Sequence, residues 1–361
     1  MQTAIRLILS LTLALSSLVV VAAELYFPDD SGDWETVSPE SVGWNSELID
    51  AALDLAGERN SSGVLILHRG RIMAEQYWDL PESNSRYQRY LQGFDADGRA
   101  IEDVASAQKS VVAVLTGIAQ QMDYLKIDDP VSNYLGQGWS KATEQQELAI
   151  TVRHLISMNS GLATDFTFEA EPDSKWFYNT PVYHLTMRVL MAATGMERSE
   201  LTQQWLGEPL GMENSSWTPR PWANAAIAVG FSTTARELAR FGLMIQAGGR
   251  WKDQTVINDT QFLEDMLSPS QQLNPAYGFL WWLNGQEFSV AAGPAAARRE
   301  GQLIPSAPPD LVAMQGAADR KLYLVPGLNL VVTRLGANGS QRSSNFNEVF
   351  WEALMKAAPV P

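Results

Sequence analysis

Residues 103–136, DVASAQKSVVAVLTGIAQQMDYLKIDDPVSNYLG, contain both an apolar helix and the chain's strongest chemical pattern. Val111, Val112, Val114, Leu115, Ile118 and Met122 recur at helical spacing and leave more than one face apolar, which predicts a buried helix. Ser106, Ala107, Gln108 and Lys109 open it. The start of a helix carries unpaired N–H groups and the positive end of the dipole, which favour a developing anion at the Ser106 hydroxyl. A residue three positions on lies on the same face, so Lys109 can touch Ser106. An ammonium facing an apolar helix is poorly hydrated. Desolvation lowers its pKa towards the neutral amine, a base able to take the serine proton. By itself Ser-x-x-Lys is a weak signal, because a capping serine with a snorkelling lysine nearby is common. The flanking sequence has to decide.

Upstream, Asn45 to Leu55 reads as a short amphipathic helix capped by Asn45. Gly63 to His68 and Arg71 to Tyr77 read as two strands joined by a tight turn at Arg69 and Gly70. Tyr87 to Ala105 is polar and irregular. Downstream, Asp128 to Leu135, Thr151 to Met158, Val182 to Ala193 and Ala235 to Ile245 are expected helices, so the middle of the chain is mainly helical. Strands return at Tyr277 to Leu283, Leu311 to Gln315, Lys321 to Val325 and Asn329 to Leu335, and Asn345 to Lys356 closes the chain as a helix. Neither the two early strands nor the four late ones can bury both faces alone. The economical solution is an α+β fold: one antiparallel sheet built from both chain ends, flanked by helices, with the helical middle inserted beside it. The expected organisation is a signal peptide over 1–23 and a single domain over 24–361. Within it, 24–105 and 260–361 form an α/β lobe and 106–259 a helical lobe.

Composition narrows the partners. The 361 residues carry 26 basic and 41 acidic side chains, a net charge of −15, with no basic run; nucleic acid and anionic membrane surfaces are poor partners for such a chain. There are no cysteines, hence no disulfides and no lipoprotein anchor near residue 23. Arg6 followed by the apolar run Leu7 to Ala23 has the pattern of a signal peptide, with Val21 and Ala23 small enough for a cleavage site; a periplasmic or secreted protein without stable membrane insertion is expected. An uncleaved anchor is the alternative. No histidine, aspartate or glutamate grouping has metal-ligand spacing, and no glycine-rich phosphate loop follows a strand, so neither metal nor cofactor is expected. The three histidines, His68, His154 and His184, read as structural, and Asp128 and Asp129 as helix-start residues before Pro130.

The stretch 103–162 resembles the serine β-lactamase-related family, which groups class C β-lactamases, penicillin-binding proteins and family VIII esterases. DVASAQKSVVAVLTGIAQQMDYLKIDDPVSNYLG is similar to its nucleophile helix and acidic turn, and ITVRHLISMNSGL to the next helix. GVLILHRGRIMAEQYW before the motif and STTARELARFGLM, YGFLWWL and LYLVPGLNLVVTRLG after it agree in order and spacing. The resemblance implies Ser106 as nucleophile and Lys109 as its base. In KWFYNTPVYHL it implies Tyr178 as a proton-relaying tyrosine, with Asn179 and Thr180 completing a Tyr-x-Thr variant; Tyr183 competes if the register slips, and a core tyrosine beside Trp176 and Phe177 is the bland reading.

The family's Lys-Thr-Gly strand maps onto Met314, Gln315 and Gly316, with the N–H groups of Ala317 and Ser106 as oxyanion donors and Gly316 letting substrate approach closely. Met314 brings no cation for a substrate carboxylate. Trp281 and Trp282 are adjacent on an expected strand, so at most one faces a pocket. The Ala291 to Pro309 loop could border the cleft.

The implied activity is hydrolysis of a small neutral ester or amide through a Ser106 acyl-enzyme. A carboxylesterase comes first, an amidase or D-aminopeptidase second and a weak β-lactamase third; a non-catalytic binding protein of the same fold is the contrasting class. Export with cleavage after Ala23 predicts a mature chain that starts at Glu24, to be read from the intact mass of the exported protein; a mass that retains residues 1–23 contradicts it.

Overall fold

The computed structural model describes residues 25–29, 33–224, 227–293 and 295–359, so the expected signal segment lies outside the described residues. The centre of the fold is set by β1 (Ser61–His68), where Val64, Leu65, Ile66 and Leu67 are all buried. Successive side chains on a strand point to opposite faces, so this strand must be covered on both sides and paired on both edges. On one edge lies β2 (Arg71–Tyr77), reached through a tight turn in which Arg69 and Gly70 both take left-handed φ, 50° and 83°. On the other lies β10 (Leu330–Gly336), from the far end of the chain, in register Val64↔Arg334 through His68↔Leu330.

β10 pairs in turn with β9 (Arg320–Val325), β9 with β8 (Val312–Gly316), and β8 with the short β7 (Trp282–Leu283). The antiparallel order is β2-β1-β10-β9-β8-β7, one sheet built from both chain ends as the strand inventory requires. Helices α1 (Ser46–Glu58) and α5 (Phe346–Lys356) pack together on one face, where Tyr323 of β9 meets Trp351 edge to face. The opposite face takes α4 (Ala235–Gln246), and α2 (Gln108–Gln121) leans on β8. Thus α4, although it lies in the central 106–259 stretch, is seated on the sheet. Every residue of α2 from Gln108 to Ala119 is buried, as its several apolar faces predict.

Two segments depart from the sequence reading. The stretch expected to be irregular, Tyr87 to Ala105, holds β3 (Leu91–Phe94) and β4 (Ala100–Asp103), which join β5 (Ser216–Pro219) and β6 (Val229–Thr233) in a second sheet of order β3-β4-β6-β5. Short strands containing Gly93, Glu102, Asp103 or Pro219 carry no clear two-residue apolar period. Conversely, Tyr277 to Leu283 is extended only at its end. Leu280 has φ 60° and the Gly278 N–H donates to the Trp281 carbonyl, so an apolar run that reads as strand is a buried turn. The expected helix from Asp128 is likewise reduced to Ser132–Leu135.

Helix α4 can lie close on the sheet because Gly242 has no side chain: a Cβ there would come within 2.6 Å of Leu322 Cδ1 and 2.8 Å of Val331 Cγ1. Gly242→Val is expected to destabilise the protein by about 1–3 kcal/mol through overpacking, measured by urea unfolding; an unchanged midpoint contradicts the contact.

Candidate active site

Ser106 stands in a single 3-10 turn, Ala105–Ala107, that connects β4 to α2, so it precedes the α-helix rather than opening it. Ala105 has a left-handed φ of 52°, uncommon for a residue with a Cβ and costly unless the surroundings enforce it. Its N–H donates to Asp103 Oδ1 at 2.8 Å. The turn packs against β8 and the Ala317–Asp319 turn that follows it. Gly316 permits that approach, since a Cβ there would lie 2.1 Å from the Val104 carbonyl oxygen. Its missing side chain therefore makes room for the serine turn, and not for substrate as the resemblance implies.

Ser106, Lys109, Thr180 and Ala317 line one cavity of about 380 Å³, together with Ala105, Gln108, Pro181, His184, Arg220, Asn224 and Ile227; Tyr90 and Trp222 form an aromatic pair in its wall, ring centroids 5.3 Å apart. Lys109 is 2 % exposed and has no carboxylate partner among the described residues. Its Nζ lies 4.7 Å from the ring centroids of both Tyr178 and Tyr183. Burial first, then the Arg220 cation, lower its pKa from 10.5 to about 7, so much of the amine is unprotonated at neutral pH.

Tyr178 precedes α3 (Thr180–Thr194), whose cap Asn179 accepts from the Val182 N–H and donates to the Leu162 carbonyl. Trp282 stacks on Tyr178 at 5.8 Å, and Trp176 and Tyr277 close round it. Burial pushes its phenol up to about 12, and hydrogen bonding to Ser106 opposes that rise. Tyr183 flanks the same lysine from α3 but turns its hydroxyl to Gln108. Of the two tyrosines, Tyr178 is the one that faces Ser106.

Other expected positions lie elsewhere. Gln315 faces away from Ser106, because alternation along β8 sends its side chain to the α5 side, where Oε1 accepts from Lys321 Nζ at 2.9 Å and Asn347 Nδ2 at 3.2 Å. Met314 is fully buried and lines no part of the cavity. Trp281 stacks on Phe241 of α4, so of the two tryptophans only Trp282 approaches the site, as a support for Tyr178. The described residues of the Ala291 to Pro309 loop do not line the cavity.

His154 caps its own helix through Thr151, and His68 ends β1; His184, expected to be structural, instead forms part of the cavity wall, where burial and the Lys109 and cationic arginine neighbours depress its pKa to about 3. It is therefore neutral. Arg220 was not visible in the sequence pattern. Its Nε and Nη2 reach Asp103 Oδ2 and Oδ1 at 2.5 and 2.7 Å, and Nη2 also donates to Gln108 Oε1 at 3.0 Å. No local motif could have joined residues 117 positions apart.

Ala318, Asp319 and Arg320, which follow Ala317, shape the turn beside the cavity. Ala318 and Asp319 both take left-handed φ, the Asp319 carboxylate accepts from the Gly339 and Ser340 N–H groups, and Arg320, wholly buried, pairs with Glu102 while donating to the Ala317 carbonyl. They fix the turn that carries Ala317. Among the described residues no group of three or more potential ligands could hold a metal ion, and no helix is long and apolar enough to cross a membrane.

Comparison with known proteins bears on the family and the fold. The profile of the beta-lactamase family matches residues 47–344. An uncharacterized protein of Alkalihalophilus pseudofirmus is 23% identical over 333 residues, covering 83% of this chain and 89% of its own. Among solved structures, a candidate beta-lactamase from Bacteroides dorei superposes with a TM-score of 0.65 at 17% identity over 87% of this chain and 99% of its own. A candidate 6-aminohexanoate-dimer hydrolase from Bacillus anthracis does so with a TM-score of 0.61 at 14% identity over 84% and 80%. At such identities the structural likeness establishes the fold.

The buried amine carries a stability signature. Its folded pKa lies below the unfolded one, so the folded state is penalised for the proton. The penalty is absent above pH 10.5, grows as pH falls towards about 7 and is constant below. Lys109→Met is expected to be more stable than wild type by about 2 kcal/mol or more at pH 7, with the gain shrinking towards pH 10, read by urea unfolding at both pH values. A gain that does not change with pH contradicts a depressed lysine.

Proposed function

The chain belongs to the beta-lactamase family of serine hydrolases, and from that premise we propose that it hydrolyses a small neutral ester through a covalent intermediate on Ser106. The observation that carries this reading is Lys109: a buried amine near neutrality, unpaired with any described carboxylate, beside a serine in the same cavity. In its unprotonated form Lys109 accepts the Ser106 proton as Oγ attacks the substrate carbonyl carbon. The N–H groups of Ser106 and Ala317 are assigned to the resulting oxyanion. When the tetrahedral intermediate collapses, the bond to the alcohol breaks. The proton now on Lys109 reaches the departing oxygen through the Tyr178 hydroxyl. Water, deprotonated by the same route, then attacks the acyl carbon and releases the acid, returning the proton to Ser106.

The neutral substrate follows from charge. Met314, at the position of the family's lysine, is buried outside the cavity and brings no cation to it, and the cavity's own cation, Arg220, is already engaged by Asp103. A cavity of about 380 Å³ walled by Tyr90, Trp222, Ile227 and Pro181 suits a compact apolar group. An amide is the second reading, supported by the structural likeness to the candidate 6-aminohexanoate-dimer hydrolase from Bacillus anthracis. The apolar run after Arg6 supports a periplasmic or secreted setting.

A panel of short-chain nitrophenyl esters, D-aminoacyl anilides and a chromogenic cephalosporin, assayed with wild type and Ser106→Ala, tests the proposal. The esters are expected to be turned over fastest, and the variant to lose about 10³-fold or more in kcat. Wild-type and variant rates that coincide on every substrate contradict the mechanism; anilide turnover above ester turnover moves the assignment to the amide.

A further inference from the structure

Asp103 and Arg220 form an ion pair whose side chains are 1% and 8% exposed, and the neighbouring strand is built to hold it. Gly230 of β6 faces the pair: a Cβ there would come within 2.3 Å of Asp103 Oδ2 and 2.5 Å of Arg220 Nη2. Stability is a poor reason for such an arrangement, because a buried pair replaced by well-packed apolar residues often costs nothing. Its contacts suggest another. Asp103 accepts the N–H of Ala105, the left-handed residue immediately before Ser106, and Arg220 donates to Gln108, the residue immediately before Lys109. Gln108 passes the connection on by accepting the Phe231 N–H of β6 at 3.1 Å, and Arg220 also donates to the Ile227 carbonyl. One pair thus brackets the serine–lysine turn from both ends.

We propose that the Asp103–Arg220 pair is a positioning element of the reaction, which holds the turn that presents Ser106 and sets the charge that Lys109 faces across the cavity. The inference rests on the reading of Ser106 as nucleophile and Lys109 as base. The groups that face Lys109 are Tyr178 ahead of α3, Tyr183 and His184 on α3, and Arg220 beyond β5, with Arg198 behind Tyr183 and His184. The tyrosines and His184 are neutral at pH 7. Arg220 is the cation felt by the lysine, and Asp103 is the carboxylate paired with it. Removing the cation and removing its counter-charge are therefore expected to move the lysine in opposite directions.

The test is the pH dependence of Ser106 labelling by a fluorophosphonate probe, whose rate rises as the base loses its proton. Asp103→Asn keeps an acceptor for the Ala105 N–H but leaves the Arg220 charge unopposed, so the rising limb moves to lower pH. Arg220→Gln removes the cation, and the limb moves to higher pH, each by roughly one unit. Arg220→Lys keeps the charge and leaves the limb in place at a reduced rate. The double variant Asp103→Asn with Arg220→Gln returns the limb close to wild type. Limbs that stay fixed, or that move in the same direction in both single variants, overturn the inference.

Should thermal unfolding show that the Asp103 or Arg220 variants do not fold, Gln108→Glu takes their place. It keeps an acceptor for Arg220 and Phe231 while adding a negative charge, so the limb moves to higher pH, and an unmoved limb overturns the inference. A wild-type protein that is never labelled at Ser106 overturns the underlying reading and this one together, whereas labelling with immobile limbs overturns this one alone.

Discussion

The Lys109 amine is buried between the faces of two tyrosines with no described carboxylate to neutralise it. Burying a cation without a counter-ion is among the costlier arrangements a fold can hold, and the usual relief is loss of the proton. The architecture around α2 enforces that outcome. The helix is buried from Gln108 to Ala119, α3 and the segment ahead of it supply the tyrosines, and Trp176, Tyr277 and Trp282 fix Tyr178 in turn. The Arg220 cation in the cavity wall adds to the pressure in the same direction. A residue that would weaken an ordinary core is thus held near neutrality, as the proposed role of base requires.

The sheet serves this arrangement from behind. Because β1 is covered on both faces, the two chain ends must meet in one sheet, and that brings β8 from the last third of the chain against the Ser106 turn. Contact there depends on Gly316, whose neighbour is the Val104 carbonyl. Arg320 and Glu102, both wholly buried, tie β9 to β4, and Glu102 also accepts from Ser62, from the Tyr87 hydroxyl and from the Gly336 N–H. The adjoining acidic residue, Asp103, holds the serine turn through Ala105 and Arg220. Two consecutive carboxylates at the end of one short strand thereby connect both sheets to the turn that carries Ser106.

Much of this was legible in the sequence where local pattern and chemistry coincide. The apolar periodicity of α2 and the strand alternation at both chain ends show through, Ser106 and Lys109 share one cavity as their spacing suggests, Tyr178 lies against Lys109, and Ala317 lines the same cavity. What escaped depends on distance or on facing. Arg220 is joined to Asp103 by folding alone, and His184 reaches the cavity by its position on α3, which no motif marks. Gln315 and Gly316 are neighbours in the chain, yet the strand sends one to α5 and the other to the serine turn. The second sheet is hidden because its strands are short and polar, and the Leu280 turn because it is apolar.

The central claim is that Lys109 is a neutral base at physiological pH, and the most direct measurement is its own titration. Nitrogen-15 NMR of lysine-labelled protein, with the Lys109 signal assigned by its absence from Lys109→Met, follows the protonation of that single amine. The account predicts a midpoint of about 7. A midpoint near the ordinary 10.5 would mean that Lys109 remains an ammonium at neutral pH and cannot serve as the base.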